Sequence, residues 1–461
     1  MPRENKIMLS GGLLATNHLI SAVVTVTAAL FFSKLLGPRT FAIYSICTSL
    51  SGVLRPLSRL GVNACLLTQS QEPQEKDYQN ALASMLLSSA LVVSIAFMIL
   101  PLLGHFCRVP DLFWPGVATI SLLPAHVLSL PAITRLERGL HFRPVVIIEL
   151  VGQVLGQALG IGLAFCGWGI WGPLTGGGAR AVFQGVAPWI VIGMRPRVSW
   201  DSNNALRMIR YGFGFTFVTS LGQGRNFVML SVIGRIVGPE AVGLMGLTQR
   251  VIGLISPIRA AAARLVLPAL APIANNPHAL KKRVESAVET ELMLSVPITV
   301  VAVSIYLLIV PLVLGAVWQP TIFLLPWIAA GYLLASAHAT ALSVLHIRGF
   351  FIESIISTCA LDVVLVVVLI LSGHMFGVEG CAAASVIVWP MFWIQEWFVM
   401  RRIEACWVAN GILWAIGGAM VCISWRLGPW VIVMPLVIAA VTFSAIQSRL
   451  KTMVSIIYNL F

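Results

Sequence analysis

Long apolar runs broken by short polar punctuation fill the chain from residue 12 to residue 447. A helix needs about 20 largely apolar residues to cross a bilayer. Fourteen segments reach that length: 12–33, 40–62, 81–103, 112–133, 144–166, 168–193, 211–233, 240–268, 289–315, 321–345, 353–373, 376–399, 406–425 and 429–447. The connectors carry turn residues, among them Gly37-Pro38, Pro73, Pro110, Gly238-Pro239, Pro277, Gly349, Gly373 and Gly428-Pro429. Each connector is too short to fold as a soluble domain. The pattern predicts an all-α polytopic membrane protein of about 14 spans.

Composition agrees: 58% of the 461 residues are hydrophobic and 10% are charged, against about 25% charged in soluble domains. The basic start, MPRENK, runs directly into an apolar stretch longer than a signal-peptide core, with no small-residue cleavage pattern after it. The first span is therefore expected to be retained. A net charge of +13 would suit nucleic acid, yet the cations sit in short loops and inside spans, so no nucleic-acid partner is expected. With a cytoplasmic N-terminus, one set of alternate loops holds 18 Lys and Arg and the other holds five, Lys34, Arg39, Arg108, Arg235 and Arg426. The excess of positive charge inside predicts that both termini are cytoplasmic. The eight cysteines include no CxxC pair and lie mostly in apolar runs, where they act as small hydrophobes. No metal site and no cofactor are expected.

An internal match at an offset of 201 residues organises the spans. SKLLGPRTFAIY (33–44) aligns without gaps with GRIVGPEAVGLM (234–245). Gly37-Pro38 pairs with Gly238-Pro239, Gly52 with Gly253 and Pro56 with Pro257. Six spans separate the copies, an even number, so the two halves share one topology about an axis along the membrane normal. The expected division is a six-helix bundle at 1–200, a second at 201–404, and two further helices with a tail at 405–461. A pseudo-twofold of this kind commonly places a substrate site between its halves. Pro56 and Pro257 each remove a backbone hydrogen bond, which makes them either hinges or features of static packing.

Seven arginines fall inside the spans: Arg55, Arg59, Arg180, Arg225, Arg250, Arg259 and Arg264. Each costs at least about 2.5–3.5 kcal/mol in mid-bilayer, so each calls for a cavity, a partner or a ligand. Arg250, Arg225 and Arg180 lie nearest the midplane, and Arg55 and Arg59 share one helical face. These five are the candidate lining of a headgroup cavity, because guanidinium forks suit phosphate oxygens and stay charged. Asp362 and Glu149 are the clearest intramembrane acids and the candidate ion-coupling groups. Tryptophans such as Trp168, Trp171, Trp189, Trp318, Trp327, Trp389, Trp393 and Trp397 are either interfacial anchors or sugar-stacking surfaces.

The stretches LLGPRTFAIYSICTSLSGVLRPLSRLGV, RNFVMLSVIGRIVGPEAVGLMGLTQRVIGLISPI and LVLPALAPIA resemble the polysaccharide and lipid-linked oligosaccharide flippases of the multidrug/oligosaccharidyl-lipid/polysaccharide exporter superfamily. The chain departs from that pattern at Arg59 and near Val228-Met229, where many relatives carry an acid. The resemblance implies transport of an undecaprenyl-diphosphate-linked oligosaccharide repeat from the cytoplasmic to the periplasmic leaflet, for O-antigen or exopolysaccharide synthesis. It implies a bacterial inner membrane, and a polysaccharide polymerase complex as a candidate partner. It also likens the last two spans to an extra pair that contacts the lipid.

Two other classes compete. An ion-coupled multidrug antiporter of the same superfamily would need intramembrane acids, and 12–33 has none. A membrane polysaccharide polymerase or ligase would need a sizeable outward loop with catalytic Arg or His, and the outward loops are short. No GxSxG, HExxH or P-loop occurs, and GPLTGGGAR (172–180) lies mid-span, where close packing or a broken helix explains it. An enzyme is not expected.

Overall fold

The computed structural model describes residues 3–68, 73–139, 141–253, 277–347, 350–403 and 409–424. Among these residues every regular element is helical. Seven helical stretches are each long and apolar enough to cross a bilayer. Two of them, Thr16–Arg59 and Ile352–Phe398, are 44 and 47 residues long, enough for two passes each. Each contains a glycine with positive φ, Gly37 (φ 70°) and Gly377 (φ 61°), where the helical geometry breaks. The rings of Phe32 and Tyr44 meet at 5.8 Å across the first break. A straight helix would hold residues twelve apart about 18 Å from each other, so the chain folds back at Gly37. Thirteen of the expected spans lie on described helices for some or all of their length. The fourteenth, 429–447, lies outside the described residues, as do Pro257, Arg259 and Arg264.

Two compact units divide the chain. The first holds the residues up to Arg250, together with Leu369–Val378. Its helices are α1 (Arg3–Arg59), α2 (Val62–Thr68), α3 (Glu75–Phe106), α4 (Phe113–Ile120), α5 (Leu123–Leu128), α6 (Leu130–Arg138), α7 (Phe142–Leu163), α8 (Trp171–Ile192), α9 (Ser202–Ile236) and most of α10 (Pro239–Ile252). The second unit holds the remaining described residues: α11 (Pro277–Ile309), α12 (Pro320–Ile347), α13 (Phe351–Ile387) outside Leu369–Val378, α14 (Phe392–Ile403) and α15 (Ala409–Ser424).

In the first unit the helices approach along glycine seams. Gly152, Gly156 and Gly160 of α7 face Gln184, Gly176 and Gly172 of α8 in antiparallel order. A Cβ on Gly176 would strike the Gly156 carbonyl oxygen, and one on Gly172 would lie 2.7 Å from the Ala164 backbone nitrogen. Small residues at every fourth position let helix backbones touch where lipid offers no hydrophobic drive. The glycines of 172–180 therefore sit in an unbroken helix and serve close packing.

Both copies of the repeated hairpin are present in this unit. Gly37 and Gly238 (φ 122°) each turn with positive φ immediately before a proline, and Pro239 opens α10. Beyond the turns, α10 runs alongside the second arm of α1 in the same direction. Gly243 lies on the Pro38 carbonyl, and Gly246 lies on Ser45. Ser45 and Gly246 are the same position in the two copies, so the repeats meet at equivalent residues. The same arm also packs antiparallel to α9, with Gly61 on Gly212 and Gly52 facing Gln223. Asp201 caps α9 by accepting from the Asn203 and Asn204 amides and is itself held by Asn80. Caps of this kind contribute about 1 kcal/mol.

Large side chains such as Leu312, Met98 and Leu91 stand exposed on the outer surface, as lipid contact requires. The seams yield a direct test. Gly176→Val should destabilise the protein by about 1–3 kcal/mol or more through overpacking, read as a lower thermal unfolding midpoint in detergent. Gly177→Ala, where a Cβ meets open space, should leave that midpoint unchanged; equal midpoints for the two variants would refute the seam.

Candidate functional site

The second arm of α1 is the axis of the site, because it carries Arg55 and Arg59 and receives side chains from three other helices. One guanidinium nitrogen of Arg55 lies 2.9 Å from Nε2 of His126 on α5. Arginine only donates, so His126 accepts there and holds its proton on Nδ1. Arg59 and Arg180 lie close enough to Arg55 and His126 for their charges to interact. Pro56 stands between the two α1 arginines, inside the helix.

Arg180, on α8, reaches toward the same region and is steadied from α7 and α1. Its Nε donates to Gln184 Oε1 at 3.2 Å, while Gln184 Nε2 donates to the backbone oxygen of Glu149 at 2.9 Å. The Glu149 carboxylate accepts from Asn17 Nδ2 at 2.8 Å and lies within electrostatic range of Arg180, as does Tyr44. Glu149 thus sits in a hydrogen-bonded bridge between α1 and α7, beside a cation.

Tyr44 links this cluster to Arg250. The Arg250 guanidinium stacks 4.4 Å from the Tyr44 ring centroid and 5.3 Å from that of Phe41, and it donates to Thr48 Oγ1 at 2.8 Å. Stacking on aromatic faces stabilises a desolvated guanidinium by about 2 kcal/mol and leaves the other donors of the fork in place. Arg225 lies on α9 two residues beyond Gln223, which the antiparallel packing puts near the level of Thr48.

Four of the five candidate arginines, Arg55, Arg59, Arg180 and Arg250, are therefore brought together around one helix arm within the first unit. Asp362 lies on α13 in the second unit. The supporting residues Tyr44, Thr48, His126, Gln184 and Asn17 carry no sequence signal of their own; the 201-residue match placed Thr48 and Arg250 on equivalent helices but did not show that they touch. Among the described residues no group of His, Cys, Asp and Glu is arranged to hold a metal ion.

Residues 31–323 match a family of polysaccharide biosynthesis proteins. The chain belongs to that family. No curated protein matches the chain in sequence. Among solved structures this member of the family is similar to "Lipid II flippase MurJ, inward closed conformation", with a TM-score of 0.72 at 13% identity, covering 95% of this chain and 99% of that one. It is also similar to a eukaryotic MATE transporter, with a TM-score of 0.62 at 14% identity over 90% and 97% of the two chains. An inward-facing multidrug resistance MATE transporter of the MOP superfamily aligns with a TM-score of 0.60 at 16% identity over 85% and 94%. This polysaccharide biosynthesis protein thus has the polytopic MurJ/MATE fold.

Glu149→Leu should strip Asn17 of its acceptor and Arg180 of its nearby carboxylate. An expected loss of about 1–3 kcal/mol would appear as a lowered unfolding midpoint in detergent. Gln184→Leu should cost less, about 1 kcal/mol, and a Glu149→Leu variant as stable as the native chain would remove the bridge from the site.

Proposed function

We propose that this protein flips an undecaprenyl-diphosphate-linked oligosaccharide repeat unit from the cytoplasmic to the periplasmic leaflet of a bacterial inner membrane, in surface polysaccharide synthesis of the O-antigen or exopolysaccharide type. The observation that carries this reading is the gathering of Arg55, Arg59, Arg180 and Arg250 around one helix arm inside the spanning region. Clustered guanidinium groups repel one another, and a ligand with two adjacent phosphates relieves that repulsion with bidentate hydrogen bonds. The polysaccharide biosynthesis family supports the substrate class, and the fold shared with a lipid II flippase supports the reaction. The lipid tail stays in the bilayer while the headgroup crosses by alternating access, with bending at Pro56 and Pro257. Both termini face the cytoplasm, and a polysaccharide polymerase complex receives the product.

The fold is also that of MATE transporters, so a multidrug antiporter is the second reading. An arginine cluster disfavours it, since cationic drugs would be repelled.

Moving a charge through 100 mV is worth about 2.3 kcal/mol. An inside-negative potential drives a diphosphate outward and draws the emptied cationic cavity back.

Deleting the gene should leave lipid-linked repeat units in the cytoplasmic leaflet with glycosyltransferase activity intact. Continued polysaccharide export, joined by new drug sensitivity, would overturn the flippase reading. Arg250→Gln should insert normally and lose transport by at least about tenfold, the equivalent of one charge-assisted contact. Collapsing the potential at constant pH in proteoliposomes should slow flipping; an unchanged rate would exclude voltage as the drive.

A further inference from the structure

At one end of the first unit a second set of basic side chains converges, apart from the arginine cluster. There α3 stops at Phe106, and the chain turns through Cys107 and Arg108 into the short 3-10 turn Pro110–Leu112. The Arg108 amide donates to the His105 carbonyl at 3.2 Å, and the Val109 amide donates to the Gly104 carbonyl at 2.9 Å. In this helix-ending pattern the left-handed residue is usually glycine. Here it is Arg108, with φ 56°. Its Cβ disfavours that conformation, and glycine would make the same backbone hydrogen bonds. The turn gains nothing from an arginine, so the side chain needs another reason.

The end of α9 packs against the same turn. A Cβ on Gly234 would lie 3.2 Å from the Cys107 carbonyl oxygen, so the residues just before Arg108 and Arg235 touch. Both arginines, together with His105, line one cavity of about 530 Å³, walled also by Pro101 and Phe113. Small-molecule sites span roughly 300–1,000 Å³. No acid is among the described lining residues. The turns at this end of the unit also carry Lys34, Arg39, Asp111 and Glu240 outside the lining, two of each sign. The excess of positive charge at this end therefore resides in the cavity, which asks for an anion.

The flanks decide what kind of anion. Leu102, Phe106, Trp114 and Val237, each within two residues of a lining residue, are all exposed. The rings of Phe113 and Trp114 meet edge-on at 5.3 Å. Aromatic residues at the end of a span mark the headgroup level of the bilayer. A soluble anion would have hydrocarbon beside it there, whereas the phosphate of a lipid arrives with an apolar part that suits those flanks.

We propose that this cavity is a lipid-phosphate site. Arg108 and Arg235 hold the phosphate oxygens through their guanidinium forks, and the lipid chain lies along Leu102 and Trp114. The site is separate from the arginine cluster: Arg250 follows Pro239 by eleven residues, about 17 Å along α10. It does not depend on the flippase reading. A polyprenyl diphosphate and a resident anionic phospholipid share the phosphate chemistry, and the test tells them apart.

The full-length protein, with p-benzoylphenylalanine in place of Trp114, is placed in phosphatidylcholine nanodiscs and irradiated, so that only lipid beside this cavity is captured. One labelled lipid is added at a time: undecaprenyl diphosphate, phosphatidylglycerol or, as reference, phosphatidylcholine. At least one of the two anionic lipids should be captured about tenfold over the reference, the effect of a charge-assisted contact, and the lipid captured names the source. Arg108→Gly and Arg235→Gln should each remove most of that excess. Lys34→Gln, which removes a cation at the same end but outside the cavity, should leave it in place. Arg108→Gly should also unfold at or above the native midpoint, because glycine suits a left-handed residue; its loss of capture is then not a loss of fold. If its midpoint falls instead, Arg235→Gln decides alone. Equal capture of all three lipids, capture unmoved by the arginine variants, or an equal loss in Lys34→Gln would overturn the proposal.

Discussion

Inside a bilayer, helices gain nothing from hiding apolar surface from one another, because lipid is as apolar as their side chains. Contact has to come from backbones close enough for dispersion and weak polar interactions. The first unit depends on this. Gly152, Gly156 and Gly160 bed into α8, Gly61 and Gly212 touch, and Gly243 and Gly246 lie on the second arm of α1. With those contacts made, bulky residues such as Met98 and Leu91 are free to face outward.

The same close approach makes buried charge tolerable. A guanidinium among hydrocarbon side chains needs nearby dipoles or π-faces, and each seam delivers some. The α1–α10 contact sets Arg250 over Tyr44 and against Thr48. The α7–α8 seam, whose Gly152 lies beside Gln184, sets that glutamine between Arg180 and Glu149. Packing and electrostatics are one design here: widening a seam by a methyl group moves the donor that steadies an arginine.

Much of the fold was legible in the sequence, because a run of about 20 apolar residues has few alternatives to a spanning helix. The glycine-proline hairpins at 37–38 and 238–239 were legible for the same reason, since both turns need positive φ. The arginines stood out through the cost of placing them in lipid. Their partners did not. Thr48, His126, Gln184 and Asn17 are ordinary polar residues, and only the pairing of helices distant in sequence reveals what they touch. His338 and Glu396 were missed for that reason: 58 residues apart, they match no ligand spacing and meet only because α12 packs on α14. The substrate's sugars leave no such trace, since stacking aromatics and interfacial anchors look alike along a chain.

Charge is divided between the two units in a way that bears on the transport cycle. The first gathers arginines with Glu149 held in a hydrogen-bonded bridge, while the second buries Glu289, Glu291 and Glu396. On the proposed function the arginines of the first unit hold the anionic headgroup. An anion carrier that runs on voltage alone needs only that cluster. A carboxylate buried in hydrocarbon is costly, and the second unit answers that cost at Glu396 by setting His338 against it at 2.7 Å.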